Sequence, residues 1–98
     1  MSTIVIHCTY TGPKGAARAF AEEMIASGLR DAVTGEDGCL QYDYYLSLRD
    51  AETVVLLERW RDAAALQAHM EGEPMRRLKA LKARYGIDTA PERFECNE

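Results

Sequence analysis

The sequence predicts an α+β fold in which one antiparallel sheet carries helices on one face. Stretches with the alternating apolar pattern of strands are interleaved with stretches in which apolar residues recur every three or four positions, as in amphipathic helices. The resulting order of strand, helix, strand, strand, helix, strand is the ferredoxin-like βαββαβ arrangement. The length of 98 residues suits one core, so residues 1–98 are expected to form a single domain.

The first strand is predicted over residues 3–10, which are rich in β-branched and aromatic side chains and precede the turn sequence TGPKG. Helical spacing starts at Pro13, with apolar side chains on one side and charged ones on the other. Because an interior glycine costs only about 1 kcal/mol relative to alanine, one helix is predicted to pass Gly28 and run to about Val33. The alternation of the strand places four side chains on one face: Ile4, Ile6, Cys8 and Tyr10.

The second and third strands are predicted over residues 39–48 and 53–60. Only the residues RDAE connect them, which favours a hairpin of antiparallel neighbours. Alternation predicts that one face of the second strand carries Leu40, Tyr42, Tyr44, Leu46 and Leu48. The corresponding face of the third strand is predicted to carry Val54, Leu56, Glu58 and Trp60.

Two further helices are predicted after the hairpin, with an interruption at Gly72. Asp62 is a suitable N-cap for the first, because its carboxylate can accept hydrogen bonds from the free backbone N–H groups of the first turn. Pro74 favours the start of the second, and Gly86 ends it. The tail is predicted to form a final edge strand around residues 93–96. The sheet face away from the helices would stay bare, which predicts a homodimer through the sheet faces.

Composition excludes several classes of partner. The net charge is -4 and no basic run is longer than two residues, so no nucleic acid is expected. The longest uncharged apolar stretch, residues 53–57, is far shorter than the roughly 20 residues of a membrane helix, and no leader pattern is present, so we expect a cytoplasmic protein. The three cysteines are scattered and lack a C-x-x-C spacing, which favours reduced thiols over disulfides or zinc ligands.

The candidate site is predicted where Trp60 meets His69 on the following helix. Strand parity turns Glu58 the same way as Trp60, and a carboxylate in an apolar strand is rarely buried without a partner. Arg59 points away, so that partner could belong to a second subunit. If the face that carries His7 meets the helices, two imidazoles share one cavity and can act as general base and orienting donor. Ordinary core roles for Trp60 and His69 stay open.

Other site features are weaker or lacking. Tyr42 and Tyr44 can supply phenol donors, or they can be ordinary tyrosines of an amphipathic strand. The sequence has no glycine-rich phosphate loop, no H-E-x-x-H, no G-x-S-x-G and no flavin or nicotinamide fingerprint. Any redox chemistry must therefore use the substrate itself or a cofactor that is held without these motifs.

Residues 36–78 resemble the core of the antibiotic biosynthesis monooxygenase family. The family pattern runs from a Gly-Cys-Leu turn and a strand tyrosine through Glu-x-Trp to an Ala-Leu-x-x-His helix. The matching residues are Gly38, Cys39, Leu40, Tyr42, Glu58, Trp60, Ala65, Leu66 and His69. The resemblance extends more weakly over most of the chain. It implies a dimeric α+β barrel with one pocket per subunit between the helices and the sheet.

The family includes enzymes that oxidise phenolic or quinol compounds with dioxygen and without metal or flavin. The resemblance therefore implies a cofactor-independent monooxygenase of a small aromatic molecule, with dioxygen as co-substrate. On that basis the catalytic residues are His69 as base or proton shuttle, Trp60 as aromatic wall, and His7. Glu58 is expected to orient a partner group or to fasten the dimer. The expected substrate-binding residues are Tyr44, Tyr42, Met70 and Phe20.

Relatives of this fold that degrade haem resemble a different constellation, with an Asn in the first strand, a Trp in the second helix and a haem-ligating His further along it. The corresponding places here hold His7, His69 and the neighbourhood of Lys79. The axial ligand is absent, so haem is not expected. Two other functions stay open within the fold: a non-catalytic dimeric small-molecule-binding or stress-associated protein, and an isomerase of a small metabolite.

Overall fold

The structure, a computed structural model, describes residues 2–97 as one open sheet with four helices. All strand pairs are antiparallel and the strand order is β2-β3-β1-β4, which confirms the predicted ferredoxin-like α+β fold. Among the described residues, no helix is long and apolar enough to cross a membrane. The elements are β1 (Ser2–Thr11), α1 (Ala16–Ala26), α2 (Leu29–Thr34), β2 (Cys39–Leu46), β3 (Val54–Trp60), α3 (Ala63–Glu71), α4 (Glu73–Tyr85) and β4 (Asp88–Asn97).

One face of the central strands forms the core with the helices. Helices α1 and α3 pack on β1 and β3, and α4 packs against the other three helices. The face predicted for β3 is confirmed, since all four of its side chains are buried. The four β1 side chains that alternation grouped also share one face, and it is this face that meets the helices, with Ile4, Cys8 and Tyr10 buried and Ile6 packed against them. Trp60 is the largest fully buried side chain and lies at the end of this core.

The opposite sheet face stays partly exposed in the single chain. It carries apolar side chains from all four strands: Val5, Tyr45, Val55, Leu57 and Phe94. The edge strand β4 pairs with β1 and is exposed along its whole length. This explains why the tail lacks a clear apolar alternation and why only residues 93–96 of the strand were predicted.

The prediction of one helix from Pro13 to Val33 is wrong. Gly28 has a φ of 83° and separates α1 from α2. Glycine reaches this left-handed conformation without steric cost, and a helix cannot continue through it. Leu29 and Val33 are nevertheless buried, so the apolar side of the predicted helix does face the core. The helix does not continue in one direction, because the chain turns at Gly28.

The predicted inward row of β2 is partly wrong. A β-bulge between Cys39 and Gln41 inserts one extra residue, so Cys39 pairs with Trp60 and Leu40 is 58% exposed. Leu48 lies beyond the end of β2 and is fully exposed. Downstream of the bulge, Tyr42 is buried and Tyr44 packs against the core, whereas Leu46 at the end of β2 is 49% exposed.

The helix boundaries after the hairpin are confirmed. An oxygen of the Asp62 carboxylate accepts a hydrogen bond from the backbone N–H of Ala65 at 2.8 Å, which caps α3. Gly72 has an extended conformation between α3 and α4. Gly86 ends α4 with a φ of 67°, and β4 begins two residues later.

Candidate functional site

A cavity of about 510 Å³ lies between the sheet and helices α3 and α4. The helices contribute an apolar wall that includes Leu66, Met70, Met75 and Leu78. Strands β1, β2 and β3 contribute four groups that carry polar atoms: Cys8, Tyr10, Tyr42 and Glu58. The volume suits a small organic ligand, and the pattern of apolar wall and few convergent polar groups is typical of ligand sites.

The cavity is closed at the central strands and open at β4. Glu58 is only 7% exposed, and Cys8 and Tyr10 beside it are buried as well. The lining residues from β4 are exposed: Thr89, Pro91 and Arg93. A ligand that enters past β4 therefore reaches Glu58 at the closed end.

Glu58 is the central polar group of the cavity. Its carboxylate accepts a hydrogen bond from the indole N–H of Trp60 at 3.0 Å and one from the thiol of Cys8 at 3.7 Å. Burial raises the pKa of the Glu58 carboxyl, although the Trp60 hydrogen bond opposes this shift. A carboxyl group with a raised pKa inside a cavity is suited to exchange protons with a ligand.

The expected role of Glu58 at a dimer interface does not agree with its position. Glu58 faces the helices rather than the outer side of the sheet, and its hydrogen-bond partners Trp60 and Cys8 belong to its own chain. The strand pairing explains this, because Ile6 and Tyr42 flank Glu58 on the two neighbouring strands. Within its own chain, the environment of this carboxylate is the cavity.

His69 lies behind Trp60 and does not line the cavity. Its ring stacks on the indole with 4.5 Å between the centroids, and Nδ1 lies 2.6 Å from a carboxylate oxygen of Glu36. The side chain is 1% exposed, and Nε2 is buried without a hydrogen-bond partner among residues 2–97. Trp60 thus joins His69 to Glu58: it stacks on the imidazole and donates to the carboxylate.

The condition under which His7 would share a cavity with His69 is not met. Residues of β1 alternate, and Cys8 rather than His7 points to the helices. On the outer face, the Nδ1 atom of His7 lies 3.7 Å from a carboxylate oxygen of Glu92 on β4. The expected pair of imidazoles in one cavity is therefore wrong.

Of the expected substrate-binding residues, Tyr42 and Met70 line the cavity. Tyr44 lies edge-on to Tyr42 at 5.9 Å and does not line it. Phe20 is fully buried in the core, where its ring packs edge-on against Tyr10 at 5.5 Å. Burial raises the pKa of the Tyr42 phenol, so this group stays protonated and can act as a hydrogen-bond donor.

Most lining residues were not predicted from the sequence as parts of the site, among them Cys8, Tyr10 and Lys82. Cys8 and Tyr10 lie on the inward face of β1, so strand alternation could have predicted that both face the same way. Helical spacing could have placed Lys82 beside the cavity, because it lies four residues after Leu78 and seven after Met75 on α4. The Nζ atom of Lys82 lies 4.7 Å from the centroid of the Tyr10 ring, and burial lowers the pKa of the amine.

All three cysteines are free thiols. Burial and the nearby Glu58 carboxylate raise the pKa of the Cys8 thiol to about 12. Cys8 is therefore protonated at neutral pH and serves as a hydrogen-bond donor to Glu58 rather than as a nucleophile. Within residues 2–97, no three side chains of His, Cys, Asp or Glu come together as a metal site would require.

Replacing Glu58 with glutamine is expected to change the pH dependence of stability. The pKa of Glu58 is raised in the folded protein. Above about 4.3, the pKa of a glutamate in the unfolded chain, the folded protein therefore still holds a proton that the unfolded chain has released. Wild type consequently loses stability as the pH rises above this value. Glutamine does not titrate. Thermal unfolding measures the melting temperature of Glu58→Gln minus that of wild type. This difference is expected to be larger at pH 7 than at pH 4. The same difference at both pH values would contradict the raised pKa.

The family model for antibiotic biosynthesis monooxygenases matches residues 3–81. The chain belongs to the antibiotic biosynthesis monooxygenase family. Its motif residues Glu58, Trp60 and His69 form the continuous set of contacts described above, and Gly38 forms the turn before β2 with a φ of 85°. No curated protein matches the chain.

Solved structures of similar proteins share this fold over nearly their whole length. The protein PA3566 from Pseudomonas aeruginosa is 26% identical, with a TM-score of 0.82 over 100% of this chain and 97% of that one. Rv0793 from Mycobacterium tuberculosis is 22% identical, with a TM-score of 0.82 over 99% and 97%. A conserved protein from Bacteroides thetaiotaomicron, described as a possible oxidoreductase, is 21% identical, with a TM-score of 0.83 over 97% and 98%.

Proposed function

We propose that this member of the family oxidises a small phenolic or quinol compound with dioxygen in the cavity beside Glu58. The observation that supports this most directly is the buried Glu58 carboxyl, which has a raised pKa and lies at the closed end of a largely apolar cavity. Removal of a phenolic proton needs a base of this kind, and a cavity poor in water protects the anion that results. Dioxygen is the co-substrate, and no metal, flavin or haem is assigned.

The proposed reaction balances for a para-quinol ring, which takes up one dioxygen and yields a hydroxyquinone and one water. Glu58 accepts the proton of a phenolic hydroxyl, and the phenolate transfers one electron to dioxygen. The two radicals combine to form a bond between an adjacent ring carbon and oxygen. The peroxide takes the proton back from Glu58, and the O–O bond then breaks as the ring carbon loses its hydrogen as a proton. One oxygen atom remains in the product, and the other leaves as water.

We assign the role of base to Glu58 rather than to His69, because Glu58 lines the cavity and His69 does not. Trp60 is a positioning residue: its indole N–H holds one carboxylate oxygen while its ring packs on His69. Tyr42 and Met70 remain candidates for contact with the substrate, since both line the cavity. Glu36 in turn holds the His69 ring through Nδ1.

We also propose that the protein forms a homodimer through the outer sheet faces. The apolar side chains that the single chain leaves partly exposed on that face support this, among them Leu57 and Phe94. A face of this composition is typically covered in solution. The cavity lies on the helix side of the sheet, so a dimer of this kind leaves each cavity with its own Glu58.

Oxygen uptake by Glu58→Gln is expected to fall by about 100-fold or more relative to wild type, because a general base typically contributes 10²–10⁴ to the rate. The measurement uses an oxygen electrode, a panel of quinols and polyhydroxylated aromatics, and a metal chelator. Glu22→Gln is the matched control, since the Glu22 carboxylate is exposed on α1 and its rate is expected to match wild type.

Three outcomes would contradict the proposal in different ways. Full uptake by Glu58→Gln would show that another group removes the proton. No uptake by wild type above the autoxidation background, for any member of the panel, would exclude oxygenation of this substrate class and favour a binding protein. Uptake that disappears with the chelator would show that a metal takes part.

A further inference from the structure

We propose that Lys82 forms an anion subsite in the cavity, so that the ligand is an aromatic compound with a carboxylate group in addition to a phenolic hydroxyl. The subsite itself stands on the cavity geometry, whereas the placement of the hydroxyl at Glu58 rests on the proposed function. Neither the family assignment nor the similar structures assign a role to this lysine.

The charges around the cavity differ in sign from those of the whole molecule. The protein has a net charge of -4. The charged residues that line the cavity are one acid, Glu58, and two bases, Lys82 and Arg93. An anion that the surface repels on average therefore finds an excess of positive charge here, and low-dielectric walls strengthen that local field.

Lys82 forms no direct ion pair with a described residue, although the Glu58 carboxylate in the same cavity attracts its charge. Two other basic residues of α4 are paired with acids, Arg84 with Glu23 at 2.6 Å and Arg77 with Glu73 at 3.8 Å, whereas the exposed Arg76 and Lys79 keep their hydration. In the part of the chain that the structure describes, no carboxylate lies within ion-pair distance of Lys82, whose Nζ atom instead lies over the face of the Tyr10 ring. A partly buried amine without a direct ion pair loses hydration that a ring contact replaces only in part, and a ligand anion offsets the rest of that loss.

Arg93 adds a second cation at the open side of the cavity. It lies on the cavity side of β4, directly opposite Ile6 on β1, and its guanidinium is 3.9 Å from the Glu95 carboxylate. Its side chain is half exposed, so solvent screens its charge more than that of Lys82. Arg93 is therefore expected to attract the anion, and Lys82 to hold it.

The arrangement predicts a ligand with two different polar groups. Glu58 is an acceptor for a hydroxyl, and a carboxylate close to it would be repelled. Lys82 is a donor that favours the carboxylate. Apolar side chains from α3 and α4 line the same cavity and suit an aromatic ring: Leu66, Met70, Met75 and Leu78.

The test compares gentisate, a para-quinol with a carboxylate, with gentisamide, which has nearly the same shape and no charge. Titration calorimetry under nitrogen with chelator present measures binding without turnover. Wild type is expected to bind gentisate about 10-fold more tightly than gentisamide or better, in line with a charge-assisted contact. Lys82→Met is expected to lose this preference while its affinity for gentisamide stays the same.

Lys79→Met is the matched control, because Lys79 is an exposed lysine of the same helix that does not line the cavity. It is expected to keep the preference. Lys82→Gln repeats the test if Lys82→Met does not fold, as judged by its melting transition. Equal affinity of wild type for both probes, binding of neither probe, or a preference that survives in the Lys82 variants would each overturn the subsite.

The outcome is independent of oxygen uptake. A carboxylate preference that depends on Lys82, found in a protein that consumes no oxygen, would support the subsite and contradict the proposed oxygenation. Oxygen uptake with neutral quinols and no preference in calorimetry would support the oxygenation and contradict the subsite.

Discussion

Replacing Trp60 with alanine is expected to lower the free energy of unfolding by about 3 to 5 kcal/mol, the range for truncation of a large buried aromatic. Trp60 is fully buried, stacks on His69 and donates to Glu58, so alanine removes packing, a ring contact and a hydrogen bond together. A small domain has only about 5 to 15 kcal/mol in total, so much of the stability depends on this residue. Urea unfolding followed by far-ultraviolet circular dichroism measures the loss, since Trp60 is the single tryptophan and its fluorescence disappears with it.

Trp60→Phe separates the two contributions of the indole. Phenylalanine keeps an aromatic ring beside His69 and removes the donor to Glu58. The expected loss of stability is therefore smaller, about 1 to 3 kcal/mol, which is the cost of leaving a buried acceptor without its partner.

For Trp60→Ala, a loss of stability below about 1 kcal/mol would contradict the buried position of Trp60, because truncations of this size in a packed core cost several times more.

Replacing Gly38 with alanine is expected to lower the free energy of unfolding by about 2 to 5 kcal/mol. The left-handed backbone at Gly38, with a φ of 85°, costs an alanine about 1 to 2 kcal/mol. An added Cβ would also collide with the Cβ of Ala65 on α3, and overpacking of this kind costs about 1 to 3 kcal/mol more. The same turn accepts a backbone hydrogen bond from Arg61 at 2.8 Å, so the strain falls where β2, β3 and α3 meet.

Gly28→Ala is the matched control for Gly38→Ala. Gly28 has nearly the same φ, 83°, but apart from its neighbours in the chain no atom of the described residues lies within 4 Å of an added Cβ. Its cost is therefore expected to be the backbone strain alone, about 1 to 2 kcal/mol. Urea unfolding of both variants measures the difference, and equal losses would show that Ala65 does not restrict the turn.

The two glycines show where sequence reasoning about the fold reached its limit. Gly28 was predicted to lie inside a helix because its energetic cost there is small, and the chain uses it to turn instead. Gly38 was recognised as part of a family motif, but the reason for glycine became visible only through its distance to Ala65, which lies far along the chain. A contact between residues that are distant in sequence leaves no mark in local spacing.

The site shows the same limit for side-chain direction. Alternation correctly grouped Glu58 with Trp60 on β3, because successive side chains of a strand must point to opposite faces. It could not decide which face of β1 meets the helices, since Cys8 on one face and His7 on the other are both compatible with a core or a site. The bulge at Leu40 was also invisible, because an inserted residue shifts the register without changing the composition.

The sequence by itself determined the order of elements, the antiparallel hairpin, the cap at Asp62 and the family, because these depend on local periodicity, turn chemistry and motif spacing. Only the tertiary structure decided that Glu58 and Lys82 line one cavity while His69 lies behind Trp60 and His7 faces outward. The physical reason is that these relations come from the packing of α3 and α4 on the sheet. Packing brings together residues that are far apart along the chain, and the spacing of residues in the sequence does not show which of them will meet.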